Sequence, residues 1–177
     1  MSNLLATLQS LAEQGGFVIP LLFGLSIILW ALIIERFSFI YLYYPKLEKD
    51  LLQHWQQRQD THSWYAQSIR DMHVSATTAS LEKYQSTIRN LIALCPLFGL
   101  LGTVTGMIAV FDTIALTGNS DAKAMAAGIY RATLPTMAGL LLALSAMYFS
   151  HNLLRKTKAL SGALQQRLNS FGGHHAP

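Results

Sequence analysis

The sequence is short of charge. Only 12% of its 177 residues are Asp, Glu, Lys or Arg, about half the share found in ordinary soluble domains. That excludes a disordered chain and a highly charged nucleic-acid binder, since both carry charge in excess of apolar mass. Cysteine is nearly missing. Cys95 stands alone, which excludes an intramolecular disulfide framework and a multi-cysteine metal site. There is no Walker A loop, no GxGxxG after a strand and no HExxH pair, the patterns that hold nucleotides or catalytic zinc. An ATP-driven pump is therefore excluded for this chain alone, and no catalytic residue, metal ligand or cofactor is assigned. What the sequence does have is apolar mass: 51% hydrophobic residues and a mean hydropathy of +0.31. Lipid is expected as one of its solvents.

Three long apolar runs organise the chain. A span needs about 20 apolar residues at ~1.5 Å each, so the expected fold is an all-α integral membrane protein with three transmembrane helices. Residues 1–16 read as a periplasmic amphipathic segment, with Leu4, Leu5, Leu8, Leu11 and Ala12 at helical spacing. The segment lacks Lys and Arg, so it is not read as a secretory signal. Residues 17–37 are the expected first transmembrane helix. It ends at Glu35-Arg36, inside an aromatic belt of Phe37, Phe39, Tyr41, Tyr43 and Tyr44.

Residues 38–90 form an expected cytoplasmic helical segment that holds most of the charge. A polar break is expected at 56–60 and an interruption near Ser75 to Thr78. The spacing of His54, His62 and His73 matches no compact metal-ligand pattern. Residues 91–116 are the second transmembrane helix, 117–123 a periplasmic turn, and 124–150 the third transmembrane helix. Residues 151–177 are a cytoplasmic amphipathic tail carrying Leu153, Leu154, Leu160, Leu164 and Leu168. Eleven of the 13 basic residues fall in 36–89 and 151–177. Basic flanks stay inside, so the N-terminus is expected in the periplasm and the C-terminus in the cytoplasm.

The second and third runs are joined by a short link, which predicts an antiparallel hairpin. Gly99, Gly102 and Gly106 make a small-residue stripe, of the kind that lets helices approach closely in lipid. Pro96 and Pro135 each remove a backbone donor and are expected to kink their helices. Each freed carbonyl then seeks a hydroxyl or a water. At ~100° per residue, Pro96, Gly99, Thr103, Met107 and Val110 share one face. Ile129, Ala132, Thr136, Leu140, Ala143 and Met147 share another. Each face carries one central threonine. Two readings stand side by side: threonines bonded back to their own helix, or a narrow apolar lumen in an oligomer with hydroxyls at one level. On the second reading Pro96, Gly99, Gly102, Gly106, Pro135 and Gly139 pack the lumen face. A lone arginine in the bilayer costs at least ~2.5 kcal/mol, so Arg131 is expected to form a structural ion pair with Asp112, within or between subunits; the alternative is a side chain that snorkels to phospholipid headgroups.

The run Cys95-Pro96-Leu97-Phe98-Gly99-Leu100-Leu101-Gly102-Thr103-Val104-Thr105-Gly106-Met107-Ile108 resembles a signature of the MotA/TolQ/ExbB proton-channel family. So does Gly128-Ile129-Tyr130-Arg131-Ala132-Thr133-Leu134-Pro135-Thr136-Met137-Ala138-Gly139-Leu140. Glu35-Arg36 matches a further common element. Within the family the chain looks most like ExbB. Three spans argue against the flagellar stator branch.

The resemblance implies a homopentamer in the bacterial inner membrane, set in lipid, around the spans of an ExbD-like single-span partner. It implies proton flow that does work through a TonB-like protein for outer-membrane import. It places the titrating aspartate on the partner. Thr103 and Thr136 are expected to be polar waypoints of the proton path, because a hydroxyl both donates and accepts. The chain departs from the family at Arg131, where many relatives carry glutamate, and at Pro135, which is not general. The alternatives are a TolQ-like role in envelope maintenance, a non-conducting membrane scaffold, and an unrelated small transporter with its site at the broken helices.

Overall fold

The computed structural model describes residues 17–57, 63–117 and 122–172. The segment expected at 1–16, His62, most of the 117–123 turn and the last five residues lie outside the described residues. The order is α1 (Val18–Ser38), a π-helical segment (Phe39–Tyr43), α2 (Tyr44–Gln56), α3 (Trp64–Glu82), α4 (Gln85–Thr117) and α5 (Ala122–Gly172). The protein is all-α across the described residues. The helical runs Val18–Trp55, Trp64–Leu116 and Met125–Leu168 are each long and apolar enough to cross a membrane.

Local chemistry explains several boundaries. Pro20 sits in the first turn of α1, where a missing N–H is no loss. Pro45 opens α2. Its ring would crowd the carbonyl four residues back, that of Tyr41. The wider π-helical turn over Phe39–Tyr43 makes room for it. Ser63 caps α3, its hydroxyl accepting from the Ala66 amide at 3.1 Å. The α5 helix runs 51 residues without interruption, roughly 76 Å at ~1.5 Å per residue. A hydrocarbon core is only about 30 Å thick, so more than half of that length needs another environment.

The expected interruption near Ser75 to Thr78 is not there. The α3 helix passes through it, because the small hydroxyls bond to their own helix: Ser75 to the Met72 carbonyl at 3.0 Å and Ser80 to the Ala76 carbonyl at 2.9 Å. The helix ends later, at Lys83 and Tyr84. Tyr84 takes φ 64°, the one positive φ of a non-glycine residue among those described. For a bulky residue this costs roughly 1–3 kcal/mol.

The chain divides into two compact units. Among the described residues, one holds 17–31 together with 87–117 and 122–148. The other holds 32–57, 63–86 and 149–172. In the first, Val18, Leu22, Leu29, Ile88, Ile92, Cys95 and Ala146 are buried. In the second, Trp55 and Ala66 pack with Leu164 and Leu168 of the amphipathic tail. The Tyr44 hydroxyl donates to the Leu160 carbonyl at 3.1 Å. Arg167 pairs with Glu48 at 2.8 Å.

Candidate functional site

The hairpin of α4 and α5 is built on glycine. A methyl group added at Gly99 would lie 2.9 Å from the Thr136 Cα, and one at Gly106 would lie 2.8 Å from the Ala132 Cβ. At Gly139 it would lie 2.5 Å from the Cys95 carbonyl oxygen, and at Gly102 it would overlap the Pro135 ring. Across the seam a methyl added at Gly128 would lie 2.6 Å from the Val110 Cγ2. Gly24 and Gly162 differ, with nothing within 4 Å of such a methyl. The stripe is therefore a matter of position as well as composition. It brings two helix backbones together where lipid offers no hydrophobic drive for helices to associate.

This seam accounts for five of the six residues expected on a lumen face. Gly99, Gly102, Gly106, Pro135 and Gly139 face the neighbouring helix of the same chain. Pro96 is half-buried. The α5 face read from spacing divides: Ala132 and Ala143 are buried, while Ile129, Leu140 and Met147 are 42%, 47% and 54% exposed.

The two threonines behave differently. Thr103 donates to the Leu100 carbonyl of its own helix at 2.8 Å. Thr136 reaches across the seam to the Gly99 carbonyl at 2.9 Å. Both are half-buried. In an α-helix the Gly99 carbonyl also receives the Thr103 amide, so the two residues converge on one oxygen. Beside Pro135, Thr133 donates to the Tyr130 carbonyl at 2.8 Å. The Cys95 thiol, one residue before Pro96, donates to the Leu91 carbonyl at 3.2 Å.

Among the described residues no ion pair joins Asp112 to Arg131, and both are exposed. The pair expected within a chain is thus not formed, for a geometric reason. Gly106 faces Ala132 and Gly128 faces Val110. Continuing that register puts Asp112 opposite residue 126 and Arg131 opposite residue 107. They stand about five residues, or ~7.5 Å, apart along the hairpin. Neither lies on the seam: Asp112 is roughly 120° round α4 from Gly106, and Arg131 about 100° round α5 from Ala132.

Reading by spacing passed over one buried charge. Arg36 is 3% exposed. Its Nε and Nη2 donate to the two Glu35 oxygens at 2.7 and 2.9 Å, and its Nη1 donates to the Ser80 carbonyl at 2.9 Å. The signal was present, since a charge pair between two apolar runs must be satisfied somewhere. His54 and His73 line a cavity of about 510 Å³ with Asp50, Trp55 and Leu168. The His54 Nδ1 lies 2.7 Å from the Asp50 carbonyl oxygen. Among the described residues no group of three or more His, Cys, Asp or Glu could hold a metal ion.

This glycine-packed, threonine-bearing hairpin lies inside residues 44–166, which match the family described as the MotA/TolQ/ExbB proton channel family. The chain belongs to that family. It is 32% identical over 88 residues to the biopolymer transport protein ExbB of Helicobacter pylori, covering 50% of this chain and 61% of that protein. It is 38% identical over 72 residues to the biopolymer transport protein ExbB-like 1 of Synechocystis sp., covering 39% and 28%. A Methanothermobacter thermautotrophicus ExbB homolog is 41% identical over 61 residues, covering 34% and 21%. The chain thus matches less than two thirds of the length of each of these MotA/TolQ/ExbB relatives. Family membership and three membrane-capable helices make it a membrane protein.

Proposed function

We propose that this chain is the pore-forming subunit of a proton-driven inner-membrane motor of the ExbB type. With an ExbD-like single-span partner it turns the proton gradient into work, delivered through a TonB-like protein to outer-membrane import. The observation that carries this reading is the hairpin itself. It holds the family's glycines at close quarters and presents two threonines at neighbouring levels, yet α5 contains no Asp or Glu and α4 only Asp112, toward its far end. A hydroxyl donates and accepts but does not titrate at working pH. A conducting assembly therefore needs a carboxylate from elsewhere, and a partner span supplies it.

In this reading five copies surround the partner. The basic segments 36–89 and 151–177 face the cytoplasm, and Thr103 and Thr136 lie along the proton path. Native mass spectrometry of the complex purified from its own membranes tests the assembly, with five copies plus a smaller partner expected. Proton flux into liposomes carrying that complex tests the activity. A ring without flux would leave a passive scaffold, and a monomer would defeat both.

A further inference from the structure

Among the described residues Arg36 is the one buried charge, and its surroundings are specialised. Its hydrogen-bond and ring partners all fall between Glu35 and Tyr84. Beyond Glu35 and Ser80, the guanidinium lies over the rings of Phe39 and Tyr84, at 4.9 and 5.1 Å from their centroids. Ser80 belongs to the last turn of α3, where carbonyls have no donor within their own helix. Arg36 therefore closes that helix end from α1, giving both a hydrogen bond and the positive charge such an end attracts.

Tyr84 then holds φ 64°, a conformation at which glycine is the ordinary residue. That conformation accompanies the placement of its ring over Arg36. Gln85 follows at once and is buried, its Nε2 donating to the Thr157 Oγ1 of α5 at 3.0 Å. A turn that only had to end a helix would favour glycine at 84. Here an unfavourable backbone is retained and an aromatic platform gained.

We infer that Arg36 and Tyr84 form a clamp that closes the last turn of α3 and holds the Tyr84–Gln85 turn in place, with Arg36 a positioning residue for that turn. The clamp is a property of the chain alone; only its consequence for proton flow rests on the function proposed above. Shape matters here beyond charge. Lysine keeps the charge but cannot grip a carboxylate with two parallel bonds, reach Ser80 and lie flat on two rings at once.

Four forms of the membrane-purified complex decide the matter: wild type, Arg36→Lys, Tyr84→Gly and Tyr84→Phe. Hydrogen exchange at residues 83–88 reads the clamp, because local opening exposes those amides. Proton flux in liposomes reads its consequence. Arg36→Lys and Tyr84→Gly should each speed exchange at least tenfold and cut flux at least fivefold, with oligomer mass unchanged. Tyr84→Phe, which keeps the ring, should match wild type. Glycine adopts φ 64° freely, so loss in Tyr84→Gly reports the missing ring and not a misfit backbone. If Arg36→Lys fails to assemble, Tyr84→Gly against Tyr84→Phe decides alone. Wild-type exchange in Tyr84→Gly would overturn the clamp. Fast exchange with undiminished flux would overturn its consequence for proton flow. Absence of flux in wild type would defeat the channel reading, while the exchange comparison would still decide the clamp.

Discussion

The Thr136 hydroxyl donates to the Gly99 carbonyl at 2.9 Å, crossing from α5 to α4 where a glycine lets the backbones meet. The bond is possible only because Gly99 has no side chain: a Cβ there would lie 2.9 Å from the Thr136 Cα. Packing and hydrogen bonding at this point are one feature.

Thr136→Val removes that bond and keeps the shape. Interhelical hydrogen bonds in membranes contribute about 0.6 kcal/mol on average and ~1.7 at most, so a loss in that range is expected. Thr103→Val removes a bond within one helix and should cost less. Unfolding of the two variants in the same detergent, with Thr136→Ser as the control that keeps the hydroxyl, gives the comparison. Equal losses at 103 and 136 would contradict it. Both valine variants should also lower proton flux if the threonines lie on the path.

Alanine substitution should separate the glycines into two classes. At Gly102 and Gly106 the methyl meets Pro135 and Ala132, and overpacking of this kind costs about 1–3 kcal/mol. At Gly24 and Gly162 nothing lies within 4 Å. There alanine should stabilise the helix by roughly 0.5–1 kcal/mol. Melting temperatures of the four single variants check the ordering.

Asp112 and Arg131 do not meet within a chain; in the assembly proposed above they would pair between copies. Side chains lean toward the N-terminus of their helix. On antiparallel helices Arg131 therefore leans toward the connecting loop and Asp112 away from it, which narrows their axial offset. Asp112→Arg and Arg131→Asp should each weaken the oligomer, and the double exchange should restore it by native mass spectrometry. Two defective singles with no recovery in the double variant would defeat the pair.

Gln85 and Thr157 are both buried and bonded at 3.0 Å. Removing one partner strands the other, a loss of about 1–3 kcal/mol, whereas replacing both by apolar groups of similar shape is close to neutral. Thr157→Val should therefore destabilise the protein, and Gln85→Met should largely rescue it. A double-mutant cycle on chemical stability measures the coupling; additive losses would show that the bond contributes nothing.

The spans were legible because long apolar runs have few alternatives, and the tail because Leu164 and Leu168 recur at helical spacing. The seam was half legible. Spacing identified Gly99, Gly102 and Gly106 as small, but not that their partners are Pro135, Ala132 and Thr136 of the same chain, since periodicity fixes a face and not what covers it. The helix end at Tyr84 was not legible. Tyrosine carries no preference for a positive φ, and its conformation goes with a contact to Arg36 that is 48 positions away in sequence. Ser75 to Thr78 misled for the opposite reason: local propensity pointed to a break, and hydroxyls bonding within the helix removed the need for one.

The closeness of the α4–α5 seam bears on where a water wire can run. A bound water needs about one 1.4-Å probe sphere of space and two to four polar partners. Between Gly102 and Pro135, or Gly106 and Ala132, added methyl groups would already collide. The polar pair at that seam, the Gly99 carbonyl and Thr136 hydroxyl, is bonded to itself. At these glycine contacts the seam leaves no room for a file of waters. In the function proposed above, a proton conduit would therefore run beside this seam, past the half-buried Thr103 and Thr136, and not between the two helices.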